Sequence, residues 1–493
     1  MTMSRSPTRT QPLGGVSEAP VLGCSVLGYG LYLAYWRAGG HCGVGVSQGS
    51  ETMRGGDLPW PRQAYAWYVV SILFICSVFS FLDRQVIALM VDDIKLDLGL
   101  NDFEIGLLQG PPFGIFYALM SIPIALAADR FNRRNIIIIG VSFWSLATAA
   151  CGLAGNFWHL FLARVGVGSG EASLSPSAYS MISDYFRVRL LPIAMSIFTM
   201  GNLTGVGLAM IIGGAVIGYA KSLDEITVWG FGAVAPWQFS FIVIGLPGLL
   251  LALLIFTIRE PLRRGITGDG ESATLRAFGR FVREHWKTFT ALFGSFTMLV
   301  LVAYGNFAWV PTFFIRTFGW TEAHAGTVYG IVVAIFGTGG ALFGGWVASV
   351  LHRRGYEDAP FRATMLCSIP LAPLALASFV WAPDGDWAAI FYAPYQIFSA
   401  VPAGLAATAM MTLTPNEMRA KISSAYLFFS NFVGLSLGAA LVGFITHQVF
   451  GDDLMVRYSL TIVNCVGAPL AVIFIALGMK HYRASLARVR SAE

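Results

Sequence analysis

The chain has 493 residues, 56% of them hydrophobic and only 12% charged, with a mean hydropathy of +0.65. Soluble globular domains carry about 25% charged residues, so this balance excludes a soluble enzyme and points to a polytopic membrane protein. The formal net charge of +5 reflects how basic residues are spread about a membrane and is no signature of nucleic-acid binding.

In chain order, residues 1–60 come first. Ala19–Trp36 is free of charge but rich in Gly and Tyr, which fits an extra span, a signal-peptide core or a non-structural leader. VLGC (Val21–Cys24) resembles a lipoprotein cleavage box, yet no apolar core precedes it. Met53 stands just before the first solid apolar run, so residues 1–60 are expected to be a disordered or non-native leader.

From Ala66 onward, runs of membrane-spanning length recur. They predict twelve helices: Ala66–Val91, Glu104–Ala127, Asn135–Leu153, Trp158–Asp184, Pro192–Tyr219, Pro236–Ile258, Thr288–Phe313, Ala323–Leu351, Phe361–Trp381, Trp387–Thr412, Ile422–Phe450 and Tyr458–Leu477. Gly and Pro within them, as in GPPFG (Gly110–Gly114), suit close packing and kinks between membrane helices. The six cysteines show no metal or disulfide spacing and read as small packing residues, and neither a metal nor a cofactor is expected.

Of the 32 Lys and Arg, 23 fall on the side of the membrane that faces the start of the first helix, and only Lys95, Lys221, Arg316 and Arg457 fall on the other. This bias predicts cytoplasmic termini and a multi-pass protein of the cell (inner) membrane. The first external loop is acidic (Asp92, Asp93, Asp97, Asp102, Glu104) and reads as solvated, with a weak cation-attracting vestibule as the alternative.

The longest connection falls between the sixth and seventh spans. It divides the chain into an N-terminal bundle (61–258), a linker (259–287) with the basic amphipathic stretch LRAFGRFVREHW, a C-terminal bundle (288–482) and a tail (483–493). ALAADRFNRR (Ala125–Arg134) is echoed by GWVASVLHRR (Gly345–Arg354) at an offset of 220 residues. An all-α membrane protein of two pseudo-symmetric six-helix bundles is therefore expected, and such duplications mark alternating-access carriers with a site between the halves.

Asp129, Arg130, Arg133 and Arg134 match the loop pattern G-x-L-A-D-R-x-G-R-K of the major facilitator superfamily, with Ala125 and Asn132 in place of its glycines and Ala127 in place of its leucine. Arg164, Gly168, Gly170 and Ala172 match its R-x-x-x-G-x-G-x-A pattern in the fourth helix. The chain thus resembles that superfamily from about Ala66 to Tyr482. The resemblance implies a conformational gate formed by Asp129, Arg130, Arg133, Arg134 and Asp184, biasing the outward-open state. The second copy carries Ser349 in place of Asp129, which implies a weaker clamp there. FLDRQ in the first helix and GSGEASLSP in the fourth are also similar to the spinster branch, which includes carriers of lysophospholipids and of sphingosine phosphate. The resemblance implies transport roles for the acid–Arg pair of the first helix and for the Arg and Glu of the fourth.

Four charges lie deep in apolar runs: Asp83, Arg84, Arg164 and Glu171. Each costs roughly 2.5–3.5 kcal/mol on insertion scales, so intramembrane charges mark a function by default. Adjacent helical residues diverge by about 100°, so Asp83 and Arg84 face different neighbours. Counted from the helix ends, Asp83 and Arg164 are level, which predicts an ion pair between them. Glu171, two turns from Arg164 along the same face, has no partner at its depth and is expected to bind protons or a cationic headgroup. Asp83 would titrate once an anionic substrate drew Arg164 away. A fixed structural network of the four is the competing reading.

The C-terminal half has no charge in its spans. Its polar positions include Tyr304, Asn306, Gln396, Ser430 and Asn431, with Phe307, Trp309, Phe398 and Phe428 nearby. Arg84, Arg164, Glu171, Asn202, Tyr304, Asn306 and Asn431 are expected to bind substrate, and Asp83 and Glu171 to couple it to protons. A wall charged on one side and apolar on the other suits a lipid-like amphiphile. Export of drugs or small organic anions stays open beside it. No HExxH, GxSxG or Walker motif suggests an enzyme. The expected partners are the amphiphile, protons and membrane lipids, with no nucleic acid, and the carrier is expected to be a monomer.

Overall fold

The structure, a computed structural model, describes residues 60–187, 189–223, 226–228, 232–263, 275–414 and 418–492. Residues 1–59, which the leader reading concerns, lie outside them, as do residues 264–274 of the linker.

Among the described residues, twelve helical rods cross the fold. Helix 1 is Gln63–Leu89, helix 2 Asp102–Arg130, helix 3 Arg133–Cys151 and helix 5 Leu191–Lys221. Helix 4 comes in two pieces, Phe157–Glu171 and Leu174–Tyr185, and helix 6 in Pro236–Gly245 and Pro247–Ile255. In the second half, helix 7 is Trp286–Phe318, helix 8 Glu322–Arg353, helix 9 Ala359–Trp381, helix 10 Gly385–Met411, helix 11 Arg419–Phe450 and helix 12 Val456–Ala492. Ten of these are long and apolar enough on their own to span a bilayer. The other two are the interrupted helix 4 and the proline-bearing helix 10, and both run alongside the rest to complete the twelve.

Local chemistry sets the boundaries. Asn101 opens helix 2 with a capping box, its side chain accepting from the Glu104 N–H at 3.0 Å while Glu104 accepts from the Asn101 N–H at 2.9 Å. Helices 3 and 4 start at Asn132 and Asn156, whose side-chain oxygens cap the first turn in the same way. Gly99 after the short helix Val91–Leu98, Gly319 after helix 7 and Gly451 after helix 11 stand at positive φ, where a side chain would be strained. Helix 12 runs without a break through the segment read as a tail, and its 37 residues span about 55 Å, well beyond the ~30 Å apolar core of a bilayer. The loop between helices 5 and 6 adds a two-stranded antiparallel hairpin, Thr227–Val228 with Gly232–Ala233.

The two bundles meet tightly at one face. At Gly106 an added Cβ would lie 2.8 Å from the Ala439 carbonyl oxygen of helix 11, and at Gly207 it would lie 2.5 Å from the Gly330 carbonyl oxygen of helix 8. Only glycine permits these approaches. At the other end of the rods, where the basic residues gather, Gly345 and Gly404 face open space. The halves are thus closed at the acidic face.

The acidic side chains of the loop are engaged in ion pairs and hydrogen bonds, although Asp97 stays exposed, so the solvated reading holds only in part. Arg316 of helix 7 binds Asp92 at 2.7 Å and the fully buried Asp102 at 2.6 Å, and Lys95 joins Asp102 to Asp453. Lys221 binds Asp93 at 2.9 Å and Glu322 at 2.7 Å. Asp97 accepts from the Trp237 indole at 2.9 Å. The fourth basic residue of this face, Arg457, donates to the carbonyls of Phe379 and Val380 at 3.0 and 2.8 Å. Apart from Lys95, which belongs to the loop itself, these partners come from helices more than a hundred residues away, which composition does not reveal.

Candidate functional site

Helix 1 changes character where its charges sit. The α-helix ends at Gln85 and tightens into a 3-10 turn over Val86–Leu89, which loosens the hold on nearby carbonyls. Arg164 takes up two of them, donating to the main-chain oxygens of Asp83 at 3.2 Å and Arg84 at 3.1 Å. The expected Asp83–Arg164 ion pair is therefore absent: the two residues are level, but Arg164 binds the backbone. Fully buried, Arg164 acts in this conformation as a clamp on helix 1 rather than as a cavity residue.

Glu171 does have a partner, contrary to expectation. Its Oε2 accepts from Arg84 Nη2 at 2.5 Å and from Ser80 Oγ at 2.8 Å. Side chains on a helix lean back toward its N-terminus, so Arg84 covers the turn of Ser80, one turn of about 5.4 Å below its own Cα. Comparing Cα levels alone missed this lean. Helix 4 breaks directly after Glu171, at Ala172–Ser173. The second carboxylate oxygen of Glu171 is buried with no hydrogen-bond partner among the described residues.

The Arg84 guanidinium lies 4.1 Å from the Phe113 ring, 4.6 Å from Phe81 and 5.6 Å from Tyr117. This aromatic cage holds the charge at the join of the halves by cation–π attraction. Across the join, Arg84 Nη1 reaches the Tyr304 hydroxyl at 3.4 Å. Arg84, Gln85, Gln109, Tyr304, Ala308, Leu435 and Ala439 line a cavity of about 20 Å³, room for roughly one water. Gln109 Nε2 and Arg84 Nε are buried with no hydrogen-bond partner among the described residues.

Asp83 points the other way. It is fully buried toward helix 3, near Trp144 and Thr148, and neither carboxyl oxygen has a hydrogen bond among the described residues. The expected roles of the two acids are thus exchanged in geometry: Glu171 is paired and Asp83 is not.

The remaining predicted binding residues scatter. Tyr304 lines the cavity. Asn306 does not: it is 1% exposed and closes a ring with Tyr395 at 2.7 Å and Asn464 at 2.9 Å, so its polar atoms are spent within the second half. Asn202 accepts from Ser77 Oγ of helix 1 at 3.0 Å. Asn431 sits on a π-helical turn, Ser430–Leu435, half-buried. Sequence reasoning missed Ser80, Phe81, Phe113, Tyr117 and Gln109, of which Ser80 was findable as the residue four before Arg84 on one face.

At the basic face, Arg133 is buried and binds Asp184 at 2.5 Å and Glu260 at 2.7 Å, tying helix 3 to the ends of helices 4 and 6. Arg134 donates to the Ile258 carbonyl at 3.2 Å. Asp129 and Arg130 are exposed, and the main-chain oxygen of Asp129 accepts from Arg263. The second half has its own tie: Asp358, at the start of helix 9, binds Arg362 at 3.2 Å and Arg483 of helix 12 at 2.7 Å. Each half thus joins its third helix to its sixth, with the charges exchanged between the two.

Two six-helix bundles, packed together at one face around a caged intramembrane charge pair, define a membrane transporter. Residues 73–439 match the description Major Facilitator Superfamily, and the chain belongs to that family. It is similar to an MFS-type efflux pump of Mycolicibacterium smegmatis, 26% identical with 80% of this chain and 87% of the pump covered. It is also similar to protein spinster homolog 1 of Xenopus laevis, 25% identical with 82% of this chain and 77% of the relative covered. Among solved structures it resembles a bacterial homolog of the human lysosomal transporter spinster in an inward-facing, unoccupied conformation. That match has a TM-score of 0.72 and 26% identity, and covers 87% of this chain and 98% of the other.

Proposed function

We propose that this transporter is proton-coupled and moves a lipid-like amphiphile, a lysophospholipid or a sphingoid-type molecule, by alternating access. The observation that carries the reading is the Arg84–Glu171 pair, set opposite a second-half wall formed by Tyr304, Ala308, Leu435 and Ala439. A headgroup anion would accept from Arg84 and draw it from Glu171. Glu171 would then be buried with Ser80 as its remaining donor, and an isolated buried carboxylate is costly enough to take a proton. Substrate binding and proton uptake are in this way alternatives for one guanidinium. Asp83, buried beside Trp144 and Thr148 with no hydrogen bond among the described residues, is the second proton-binding group. The apolar tail lies along the uncharged second half.

On this reading the basic face is cytoplasmic, both termini lie there, and the carrier works as a monomer in the cell (inner) membrane. Asp129, Arg130, Arg133, Arg134 and Asp184 form the gate of that face. Arg133 and Asp184 keep the first bundle intact, while the exposed Asp129 and Arg130 meet the second bundle when the vestibule closes.

Uptake of lysolipid into proteoliposomes under an imposed pH gradient tests the reading, with Asp83→Asn and Glu171→Gln beside the wild type. Unchanged gradient-driven flux in both variants would remove the mechanism. A second reading, export of drugs or small organic anions, is favoured by the similarity to an efflux pump. Direct binding of lysolipid against hydrophilic anions separates the two.

A further inference from the structure

Away from the central site, the start of helix 7 and the end of helix 12 enclose a pocket of about 240 Å³ at the basic face. Its lining includes His285, Lys287, His481 and Arg488, against a single acidic residue, Glu284. His481, Ser485 and Arg488 recur at helical spacing and so share one face of helix 12. The floor is built: the buried Ser485 hydroxyl lies 2.8 Å from His285 Nδ1 and 2.9 Å from Thr288 Oγ1. His285 occupies the N-cap position of helix 7 without capping it, and its ring meets Ser485 instead. Burial, with the Arg488 charge adding to it, holds the His285 ring below its usual value.

The surroundings place this pocket at a membrane surface. Trp286, 56% exposed, stands where the long apolar helix 7 begins, as interfacial tryptophans do. Lys287 Nζ lies 5.7 Å from its ring. The preceding helix, Leu275–Glu284, presents Arg280 and Arg283 to solvent and turns Phe281 onto His285, with ring centroids 4.8 Å apart. It has the character of a helix lying along the headgroup layer.

We propose that the pocket binds a phosphate group carried on the headgroup of an anionic membrane lipid, seated between helices 7 and 12. Such a lipid fastens the linker end of the second bundle to its last helix, a contact separate from the transport pathway. The volume is about eight times the share of one water in the liquid, enough for a phosphate and its glycerol.

The test is thermal unfolding of the purified full chain in detergent, with added phosphatidylglycerol, phosphatidylcholine or inorganic phosphate. Phosphatidylglycerol is expected to raise the wild-type midpoint by several degrees more than phosphatidylcholine does. The double variant Lys287→Gln/Arg488→Gln should lose most of that difference, and Lys287→Arg/Arg488→Lys should keep it. Equal responses of the wild type and the Gln variant would overturn the site. An equal shift with inorganic phosphate would overturn the lipid as its source.

Discussion

Arg84 of helix 1 and Glu171 of helix 4 are bound at 2.5 Å, with the Glu171 side chain fully buried and Arg84 only 10% exposed. Breaking a buried pair from one side strands the other charge and costs about 3–5 kcal/mol, whereas replacing both by apolar groups is often neutral. Glu171→Gln should therefore lower the unfolding midpoint markedly, and Arg84→Met/Glu171→Leu should recover it. Transport is expected to fail in both. A double variant as unstable as the single would show that the pair adds net stability of its own.

Asp83→Asn is expected to behave differently. The carboxyl has no hydrogen-bonded partner among the described residues, so an isosteric amide removes no contact. The unfolding midpoint should stay within a degree or two of the wild type, while the dependence of flux on the pH gradient weakens. Comparing the slope of uptake against imposed gradient in the two proteins checks this.

The closed face rests on ion pairs and glycine contacts, and each can be loosened separately. Arg316→Ala removes ties to both Asp92 and Asp102. Gly207→Leu drives a side chain into the Gly330 backbone. Spin labels at Leu96→Cys and Leu454→Cys, exposed positions on opposite halves, read the separation in a background without the native cysteines. Both substitutions should add a longer-distance population. An unchanged distribution in Arg316→Ala would show that packing alone holds this face shut.

Asp358 gives a pH dependence of stability. Burial pushes its carboxyl up, but the Arg362 and Arg483 guanidinium groups together hold it below the usual carboxylate range. A carboxyl lowered in the folded state contributes stability above its unfolded value and loses it as pH falls through the folded value. Asp358→Asn should lower the midpoint at neutral pH by a few degrees and flatten the acid limb below about pH 4. A midpoint-against-pH series from 3 to 7 makes the comparison.

The fold was largely legible because its signals are local. Apolar run length, the bias of Lys and Arg, and the repeat of ADRFNRR in ASVLHRR each reside in one stretch of chain. The site was legible in composition and not in pairing. Asp83, Arg84, Arg164 and Glu171 do gather, but who binds whom depends on the lean of Arg84, on the break after Glu171 and on the carbonyls loosened at the end of helix 1. No periodicity announces these. Asn306 was misplaced for a related reason: its partners Tyr395 and Asn464 come from helices 10 and 12, and only the packed bundle shows them. The acidic loop failed similarly, since Lys221 and Arg316 reach it from helices 5 and 7.

The π-helical turns add a last contrast. Val333–Gly337, Ala377–Trp381, Ser430–Leu435 and Ile445–Phe450 all belong to the second bundle, and none occurs in the first among the described residues. Each such turn stores one surplus residue, and relaxing it to an ordinary turn swivels the chain beyond by about 100°. Leu435 closes one of these turns and also lines the central cavity. One jaw of this carrier is therefore ionised at its lining, and the other is greasy, with slack wound into its backbone next to the cavity.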